Sequence, residues 1–515
     1  MQILDTTLRD GAQAEGISFS VGDRLELARI LDGLVLHYIE AGISNPKDLE
    51  FFRQAAALRL NHAKLCAFGS TRRKDGAAEG DKTCLALLEA GAPAVAVVGK
   101  SSALHVSEVL GTTQAENLAM IEDTCRFFAR AGREVIFDAE HFFDGFALDP
   151  AYALETLRAA ARGGARALVL CDTNGGSFPW DAEEITRAVG EKFHAVTIGI
   201  HAHDDSGMAT AVTCAAVRGG ARHVQGTLLG YGERVGNANL SAVIPNLQLK
   251  LGIQCIPRGR LAQLTQSAHQ AASVANIRLR GSTPFVGSRA FAHKGGLHAH
   301  GVLKNPASFE HIDPAAVGNR RRVLVSEMAG RAAVLPRVQR LYPDVAAEDP
   351  SLERVVAALK AREFDGYSYE GADASFDLLI RRCRETLPAF FELIGYKVLD
   401  QLPHENECGA TATLKIRVDG RVKIAAAEGE GPVNALDLAL REALRGFYPV
   451  LARVRLIDYK VRIMESAAGT GSRVRVLITS GDGARQWTTV GVSHDIIEAS
   501  WEALVDSIVY KLLEG

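Results

Sequence analysis

The sequence predicts an α/β protein in which a (β/α)8 TIM barrel is followed by a mainly helical linker subdomain and an α+β C-terminal domain. Short apolar runs alternate with longer amphipathic runs up to about residue 255, this alternation then stops, and strand-like runs return from about residue 388. A chain of 515 residues is also too long for one ordinary core. We therefore expect three regions, at residues 1–255, 256–387 and 388–515.

The first region contains eight strand-like runs separated by helical patterns. Ser20 and Thr113 are typical helix caps, and the pair Gly163-Gly164 ends a predicted helix. Eight strands alternating with eight helices is the count of a (β/α)8 barrel, whereas a doubly wound open sheet would be expected to carry a GxGxxG motif after its first strand. The predicted strands are residues 2–7, 35–42, 63–69, 94–99, 134–139, 167–172, 195–201 and 222–228.

Polar clusters follow seven of the predicted strands. In a barrel of parallel strands, all carboxyl-terminal strand ends lie at one face, and the active sites of such barrels are found there. One such cluster would be an ordinary capping loop, but seven at one face predict a functional site. The clusters are residues 5–11, 40–42, 70–74, 138–141, 172–175, 201–204 and 230–237.

Two histidines end the seventh strand, in the run His201-Ala-His203. Side chains at i and i+2 of a strand point to the same side, so the two imidazoles are expected to converge. An isolated motif of this kind is more often explained by ordinary hydrogen bonds. Here only strand 8 separates strand 7 from strand 1, so Asp10 can reach the histidines, and Asn237 could supply a weak fourth ligand. Such a set suits Zn, Mn, Mg or Co.

An open site of this kind implies Lewis acid catalysis, in which the metal polarises a carbonyl oxygen. Arg9 precedes the candidate ligand Asp10 and carries a fixed positive charge. It could stabilise a developing alkoxide or enolate, or it could be an ordinary solvated or salt-bridged arginine. The neighbouring residues favour the first interpretation, and the sequence therefore predicts an enzyme.

Three motifs resemble the signatures of the DRE-TIM metallolyases: Asp5-Thr-Thr-Leu-Arg-Asp-Gly11, His201-Ala-His203 and Gly232-Glu-Arg-Val-Gly-Asn237. Within this family the chain is similar to the acyl-CoA condensing branch, which comprises 2-isopropylmalate, homocitrate and citramalate synthases. Residues 10–16 and 137–145 look most like the longer bacterial (R)-citramalate synthases. Isopropylmalate synthases usually read DGEQSPG and SPED at these places, and this chain departs from both.

The resemblance implies roles for individual residues in the predicted site. Arg9 would bind the keto oxygen of a 2-oxo acid, and Thr173 would hold its carboxylate. The implied metal ligands are Asp10, His201, His203 and Asn237, the implied substrate-binding residues are Arg9, Thr173 and Gln13, and the implied catalytic residues are Arg9, Glu140 and His298.

The implied reaction is a Claisen-type condensation by an acyltransferase that converts the acyl group into an alkyl group on transfer. Acetyl-CoA, the co-substrate, loses a methyl proton, the enolate attacks the ketone, and the resulting thioester is hydrolysed. With pyruvate the product is citramalate, the entry point of a threonine-independent route to isoleucine. 2-Isopropylmalate synthase, which uses 2-oxoisovalerate, is the closest alternative, because the two oxo acids differ by about two methyl groups.

Residues 291–301 contain three histidines among glycines, which predicts a loop that approaches a ligand. The resemblance places a catalytic histidine here, and His298 matches it, with a role in proton transfer at the acetyl methyl or during thioester hydrolysis. Related enzymes often carry Asp where this chain has His300, and Tyr where it has Phe309. The identity of the catalytic base is therefore open, and so is the alternative that these histidines only shape a loop.

The third region repeats one pattern. A hairpin is predicted around Asp419-Gly420, with a helix after it. A second set of strands and a second helix follow, which gives a ββ(β)α unit used twice. The predicted elements are strands at 412–418 and 421–425 with a helix at 432–444, then strands at 456–463, 473–478 and 487–492 with a helix at 495–513.

This duplicated unit resembles the leucine-dimerisation regulatory domain of isopropylmalate synthases. The resemblance implies a homodimer, because a duplicated unit of this kind usually stacks with its copy or with a partner subunit. It also implies feedback inhibition by a branched-chain amino acid, with isoleucine as the expected effector.

The bulk composition disfavours several other classes of protein. A net charge of −3 gives no electrostatic reason to expect nucleic acid or an anionic membrane as a partner. No apolar run reaches the roughly 18 residues of a membrane span, and the first predicted strand leaves no room for a signal peptide. The eight cysteines are scattered without a CxxC pair, which is typical of reduced thiols. We expect a cytoplasmic protein.

Two further function classes remain as alternatives. An aldolase or lyase would cleave carbon–carbon bonds on the same barrel and metal, and the C-terminal regulatory domain argues against it. A non-enzymatic amino-acid sensor would carry an inactive barrel, and the intact set of Arg9, Asp10, His201 and His203 argues against that.

Overall fold

The computed structural model describes residues 1–43, 46–294, 296–323, 330–405, 408–464 and 471–514. The chain forms two compact units. The first comprises residues 1–291 and 311–321, and the second comprises residues 292–310 and 322–515. Within the described ranges, no helix combines the length and the apolar character that crossing a lipid bilayer requires.

The first unit contains the predicted barrel. Its eight parallel strands pair in chain order and the eighth pairs with the first, so the sheet is closed. The (β/α)8 prediction is therefore confirmed. The strands are β1 (Gln2–Asp5), β2 (Tyr38–Gly42), β3 (Lys64–Ser70), β4 (Ala94–Lys100), β5 (Glu134–Glu140), β6 (Ala167–Asp172), β7 (Thr197–Ala202) and β8 (His223–Gly226).

Helices connect these strands, and the first shows why they form. Ser20 and Asp23 make a capping box, in which each side chain accepts a hydrogen bond from the backbone N–H of the other residue. Leu27, Ala28 and Leu31 then recur at helical spacing and are buried. The helices are α1 (Val21–Gly33), α2 (Pro46–Ala55), α3 (Lys82–Glu89), α4 (Ala103–Glu108), α5 (Gln114–Arg130), α6 (Phe142–Leu148), α7 (Pro150–Arg162), α8 (Pro179–Gly190), α9 (Ala209–Arg218) and α10 (Leu240–Pro245).

Two strand boundaries differ from the prediction for local reasons. The second strand does not begin at Val35, because this residue has a φ of 64°, in the left-handed region that strands exclude. The first strand does not extend to Thr7, because the Asp5 carboxylate accepts a hydrogen bond from the Thr7 backbone N–H at 2.8 Å. Asp5 thereby turns the chain, and the polar segment that follows begins immediately after β1.

The barrel interior is packed with side chains and is not a pore. Its buried middle layer includes Leu4, Cys66, Ile136 and Val169. Side chains two positions further along a strand point to the same side, one layer nearer the carboxyl-terminal end. On β3, β5 and β6 these residues are Phe68, Asp138 and Cys171, and all three line a cavity at that end.

Two further helices complete the first unit, α11 (Arg258–Leu261) and α12 (Leu264–Val274). The sequence predicts one continuous helix over residues 258–274, but the chain is interrupted between them. The backbone N–H of Ala262 bonds to the carbonyl of Arg260, which closes α11 with a tight turn. α12 then packs against α1.

In the second unit, the segment before residue 388 is mainly helical, as predicted. Its core is formed by side chains such as Val334 and Val338 on one helix and Leu352, Val355 and Leu359 on another. The elements are β9 (Ala292–His293), α13 (Gly296–Lys304), β10 (Arg322–Val323), α14 (Arg331–Leu341), α15 (Ser351–Phe364) and α16 (Asp373–Arg384).

The C-terminal part contains two three-stranded antiparallel sheets, and a helix follows each of them. This confirms the α+β prediction and shows that both copies are βββα. The sequence prediction lacks the strand Glu392–Glu405. Its register with the next strand shifts between Leu393 and Gly395, so the alternation on which strand prediction depends is broken. The elements are β11 (Glu392–Glu405), β12 (Cys408–Val418), β13 (Arg421–Gly429) and α17 (Pro432–Leu444), then β14 (Arg455–Ile463), β15 (Val474–Gly481), β16 (Gln486–Ser493) and α18 (Ile496–Glu514).

Candidate metal centre

Asp10, His201 and His203 converge at the carboxyl-terminal end of the barrel. The Nε2 atoms of the two histidines lie 3.3 Å apart. Asp10 Oδ2 lies 3.6 Å from Nε2 of His201 and 3.8 Å from Nε2 of His203. All three residues are buried, and in the part of the chain that the structure describes they are the one group of three or more such side chains close enough to share a metal ion.

The order of the strands explains this convergence. His201 lies on β7, and His203 immediately follows this strand and forms an isolated backbone bridge with Asn237. Asp10 lies in the turn that follows β1, and β8 is the one strand between β7 and β1 around the barrel. Residues that follow the first strand and residues at the end of the seventh therefore meet because the sheet is closed.

The spacing of the three donor atoms fits a divalent cation. Ligand atoms about 2.1 Å from a tetrahedrally coordinated cation lie about 3.4 Å apart. The observed separations of 3.3, 3.6 and 3.8 Å are close to this value. Asn237 Oδ1 is also buried and has no hydrogen-bond partner among the described residues, and an amide oxygen is a suitable additional donor. Two imidazoles with oxygen donors suit Zn, Mn, Mg or Co.

Asp10 is held in its ionised form. Arg9 Nη1 lies 2.9 Å from Asp10 Oδ2, and Asn237 Nδ2 donates to Asp10 Oδ1 at 2.9 Å. Burial raises the pKa of Asp10, but the positive charge of Arg9, together with the neighbouring histidines and the hydrogen bond from Asn237, outweighs it and lowers the pKa to about 2. Burial lowers the pKa of His201 to about 3 and lowers that of His203 as well. Both imidazoles are therefore neutral, which is the form that binds metals.

A hydrogen-bonded chain orients His201. Its Nδ1 lies 3.0 Å from Oε1 of Gln225 on β8, and Gln225 Nε2 donates to Oδ1 of Asp138 on β5 at 2.8 Å. The sequence analysis places Asp138 in one of the polar clusters at the strand ends but gives it no role, and it does not include Gln225. The alternation of side chains on β8 could have indicated Gln225. It is two residues beyond His223, so both side chains point to the same face of this buried strand.

Arg9 is fixed by three neighbours. Its Nε donates to Oε2 of the fully buried Glu40 at 2.8 Å, and the Thr6 hydroxyl donates to the same oxygen. Its guanidinium carbon lies 3.9 Å from the ring centroid of Phe68. Burial opposes the charge of Arg9, but Glu40 and Asp10 raise its pKa above the ordinary value. Arg9 is thus a permanent, rigidly held cation beside the candidate metal ligands.

A cavity of about 290 Å³ lies over this cluster. Besides Arg9 and the three converging ligands, its lining includes Gln13, Glu140 and Thr173. The structure therefore places all the predicted site residues of the barrel around one cavity, with Asn237 joined to it through Asp10.

Two of the lining residues have fixed positions. Glu140 Oε2 lies 2.5 Å from Nζ of Lys100, which neutralises this carboxylate at the rim. Thr173 Oγ1 accepts a hydrogen bond from the backbone N–H of His141 at 2.8 Å, which leaves its own O–H free to donate. His141 itself has a φ of 58°, an uncommon conformation outside glycine, directly beside the site.

A second cavity, of about 620 Å³, adjoins the first. Arg9, Gln13 and Phe68 line both cavities. The larger one extends between the ends of β2 and β3, with Arg24 and Lys82 in its lining. An extended ligand in the larger cavity could therefore place one end next to Arg9.

His298 belongs to the second compact unit, and its side chain is exposed on α13. Its ring centroid lies 4.3 Å from that of Phe309. A Cβ on Gly301 would lie 2.6 Å from the Phe309 ring, so a glycine is needed at this position for the ring to pack there. The catalytic role of His298 remains a prediction.

Comparisons with known families agree with this organisation. A family model described as HMGL-like matches residues 1–269. A model of the homocitrate synthase post-HMGL domain matches residues 285–365, and a model of the LeuA allosteric (dimerisation) domain matches residues 370–512. Three successive matches thus cover most of the chain.

Similar proteins cover the full length of the chain. A protein of Aquifex aeolicus named (R)-citramalate synthase is 48% identical, with 99% of this chain and 98% of that protein covered. The Synechocystis protein of the same name is also 48% identical, with 99% and 96% covered. A protein of Methanopyrus kandleri described as a probable 2-isopropylmalate synthase is 30% identical, with 99% and 97% covered. The chain therefore belongs to the HMGL-like family, the DRE-TIM metallolyases, within the acyl-CoA condensing branch that contains these synthases.

Proposed function

We propose that this protein is a metal-dependent (R)-citramalate synthase, which condenses acetyl-CoA with pyruvate and hydrolyses the resulting thioester. The observation that carries the proposal is the convergence of Asp10, His201 and His203 with Arg9 under one small cavity. The full-length similarity to proteins named (R)-citramalate synthase supports the choice of substrates.

The metal would be held by Asp10, His201 and His203, with the unpartnered Oδ1 of Asn237 as a further donor. When bound, a divalent cation such as Mn, Zn, Mg or Co supplies Lewis acid polarisation of a ketone. The ionised Asp10 and the neutral imidazoles are the protonation states that such binding requires. No proton has to be removed from these groups before a metal binds.

Arg9 would bind the keto oxygen of the oxo acid and stabilise negative charge that develops on it. A guanidinium clamped by Glu40 and Phe68 does not have to reorganise during the reaction, and fixed charges of this kind contribute strongly to catalysis. The free O–H of Thr173 would donate to the carboxylate of the oxo acid, and Gln13 would contact the substrate from the opposite wall.

The two adjoining cavities suit the two substrates. The smaller one, of about 290 Å³, would accept the compact oxo acid next to Arg9. The larger one, of about 620 Å³, would accept the acyl arm of acetyl-CoA, with the shared residues Arg9, Gln13 and Phe68 at the junction. Glu140 and His298 are the two candidates for removing the methyl proton.

We also propose a homodimer that isoleucine inhibits through the C-terminal domain. The match to the LeuA allosteric (dimerisation) domain supports both parts of this proposal. Each sheet also exposes apolar side chains, such as Val422 and Ile424 on β13 and Ile457 and Ile463 on β14, which are between 51% and 61% exposed. A partner subunit would remove this surface from water.

A paired substrate assay tests the proposed function. The purified full-length protein is supplied with acetyl-CoA and either pyruvate or 2-oxoisovalerate, and release of the free thiol of CoA is measured, with Asp10→Ala as the control. We expect the larger kcat/KM with pyruvate. A larger kcat/KM with 2-oxoisovalerate would instead identify a 2-isopropylmalate synthase, and no thiol release with either would overturn the condensation.

The same assay tests regulation. Isoleucine and leucine are added separately at increasing concentration, and molar mass in solution is measured by light scattering. We expect isoleucine to inhibit more strongly than leucine and the mass to be twice that of one chain. Inhibition by leucine alone, or a monomer of full activity that isoleucine still inhibits, would contradict the regulatory proposal.

A further inference from the structure

Gln225 forms a bridge across the inside of the barrel. Its Oε1 lies 3.0 Å from Nδ1 of His201, and its Nε2 donates to Oδ1 of Asp138 at 2.8 Å. Gln225 is fully buried and Asp138 is 3% exposed, so no bulk water competes for these bonds. Neither residue belongs to the three converging donor groups.

The positions of the amide atoms set the direction of both bonds. A glutamine amide has one acceptor oxygen and one donor nitrogen, and here the nitrogen donates to Asp138 while the oxygen faces His201. Burial raises the pKa of Asp138 to about 8, and its Oδ1 can accept this bond in either protonation state. Nδ1 of His201 then carries the proton, and Nε2 presents its lone pair toward Asp10 and His203.

We propose that Gln225 and Asp138 are positioning residues that fix the tautomer and the ring orientation of His201 for binding a divalent cation. The inference rests on the metal site of the proposed function. Partners that orient a metal-binding histidine typically change metal affinity by about 10- to 100-fold when removed. The effect of the bridge on metal affinity can therefore be measured separately from turnover.

His203 provides an internal contrast. Its Nδ1 is buried, and no residue in the described part of the chain forms a hydrogen bond with it. Of the two imidazoles, His201 is thus the one whose orientation is specified by the barrel interior, through side chains on β8 and β5. We expect a change in the bridge to affect His201 and to leave the position of His203 unchanged.

The barrel also contains a matched control pair. At its amino-terminal end, Nδ1 of His223 lies 3.3 Å from Oε1 of Gln2, and His223 is fully buried. The substitution Gln2→Met thus removes the same type of glutamine–histidine bond from the same barrel. It does so at the opposite end from Asp10, His201 and His203.

The experiment titrates the full-length protein, stripped of metal, with Co²⁺ and separately with Mn²⁺. Gln225→Met has similar length and no acceptor, and we expect it to weaken binding by about 10- to 100-fold and to change the visible spectrum of bound Co²⁺. We expect Gln2→Met to bind within about threefold of the wild type. Circular dichroism confirms that each variant is folded.

A pair of substitutions that exchanges the amide and the carboxyl group of the bridge should restore metal binding. Gln225→Glu places a second carboxyl group against Asp138, and we expect weaker metal binding, because two adjacent buried carboxyl groups share one proton and the acceptor that faces His201 is no longer fixed. Adding Asp138→Asn supplies an amide donor to that carboxylate, so Glu at position 225 can accept from both neighbours. We expect this double variant to bind metal at least about tenfold more tightly than Gln225→Glu alone.

The outcomes separate this inference from the proposed function. A wild-type protein that binds neither cation, or whose binding survives His203→Ala, would overturn the metal site itself. If the wild type binds at this site, equal affinity in Gln225→Met overturns the positioning role. If Gln225→Met does not fold, the comparison of Gln225→Glu with the double variant that adds Asp138→Asn decides. If the double variant does not bind metal more tightly than Gln225→Glu, the inference is overturned.

Discussion

The two ends of the barrel both carry buried polar side chains, but they satisfy them differently. At the amino-terminal end, Lys64 Nζ lies 2.6 Å from Glu134, and the Tyr38 hydroxyl donates to the same carboxylate. His223 lies next to Gln2 at this end, with 3.3 Å between the bonded atoms. The Glu134 carboxylate is thus matched by a cation and a neutral donor, and among the described residues the buried atom here without a partner is Nε2 of His223.

At the carboxyl-terminal end the groups are not matched in this way. The Nε2 atoms of His201 and His203 lie 3.3 Å apart, and Asp10 approaches both of them. Asn237 Oδ1 is buried, and none of the described residues donates a hydrogen bond to it. Leaving lone pairs directed at one point is unfavourable unless something positive occupies it. The contrast indicates that this end is built to bind a cation, whereas at the other end the Glu134 carboxylate is already paired within the protein.

The largest expected effect comes from His203→Ala. Loss of one of the three converging donors should lower kcat by at least about 10³-fold, because Lewis acid stabilisation is worth several kcal/mol and each 1.4 kcal/mol is about tenfold in rate. The measurement is thiol release from acetyl-CoA with pyruvate. Substantial activity in a folded His203→Ala protein would remove this residue from the metal site.

The matched substitution at the other end is His223→Ala. It truncates a fully buried side chain, so we expect a loss of about 2 kcal/mol in the free energy of unfolding. The kcat of the folded fraction should stay within about threefold of the wild type. A loss of turnover comparable to that of His203→Ala would show that the two ends do not have separate roles.

Metal removal should reproduce the effect of His203→Ala without a substitution. Dialysis against a chelator should abolish thiol release, and adding back Mn²⁺, Zn²⁺, Co²⁺ or Mg²⁺ one at a time should restore it to different extents. Elemental analysis of the purified protein identifies the native ion. Full activity with less than one ion per ten chains would contradict a metal-dependent reaction.

Arg9→Lys should have a smaller effect, about 10²-fold in kcat/KM for the oxo acid. A lysine keeps the charge, but it cannot bond Glu40 and Asp10 together in the planar geometry of a guanidinium, nor stack on Phe68 in the same way. Steady-state kinetics measure the change, and metal affinity serves as the control. An unchanged kcat/KM would mean that Arg9 does not face the substrate.

The smallest effect is expected for Glu134→Gln. Burial raises the pKa of Glu134, but bonds from Lys64 and Tyr38 outweigh it and lower the pKa below the ordinary value. The resulting stabilisation is present above the unfolded pKa of about 4.3 and is lost as the pH falls through the folded pKa. Because Lys64 is largely exposed, we expect about 0.5 kcal/mol at pH 7.

Denaturant unfolding of wild-type and Glu134→Gln proteins at several pH values measures this difference. The gap between the two free energies of unfolding should shrink as the pH falls below about 4, and activity at pH 7 should be unchanged. A gap that does not vary with pH would mean that the ion pair does not stabilise the barrel.

Much of the candidate site could be predicted from the sequence because its residues follow predicted strands. His201 and His203 were found from the alternation of a strand, and Asp10 from the adjacency of the first and last strands in a closed barrel. The roles assigned to Arg9 and Thr173 came from the family resemblance. Each of these residues belongs to a short continuous motif, so it can be recognised from the residues next to it in the sequence.

Gln225 was not predicted to belong to the site, and Asp138 and Glu40 were predicted to lie at its strand ends but were given no role. Their partners lie across the barrel or on another strand, and local periodicity does not indicate which inward-facing side chains meet. The missed strand β11 has a related cause. Shifts in its register with β12 interrupt the two-residue alternation on which its prediction would depend.

The sequence by itself determined the order and type of most elements and the chemistry available at the strand ends, because periodicity and capping are local properties. Only the tertiary structure decided which of these groups meet. Asn237 donates to Asp10 across 227 positions of sequence, and the bridge from His201 to Asp138 passes through a residue on a third strand. Closure of the sheet creates these contacts, and burial inside it fixes the protonation and orientation of each donor.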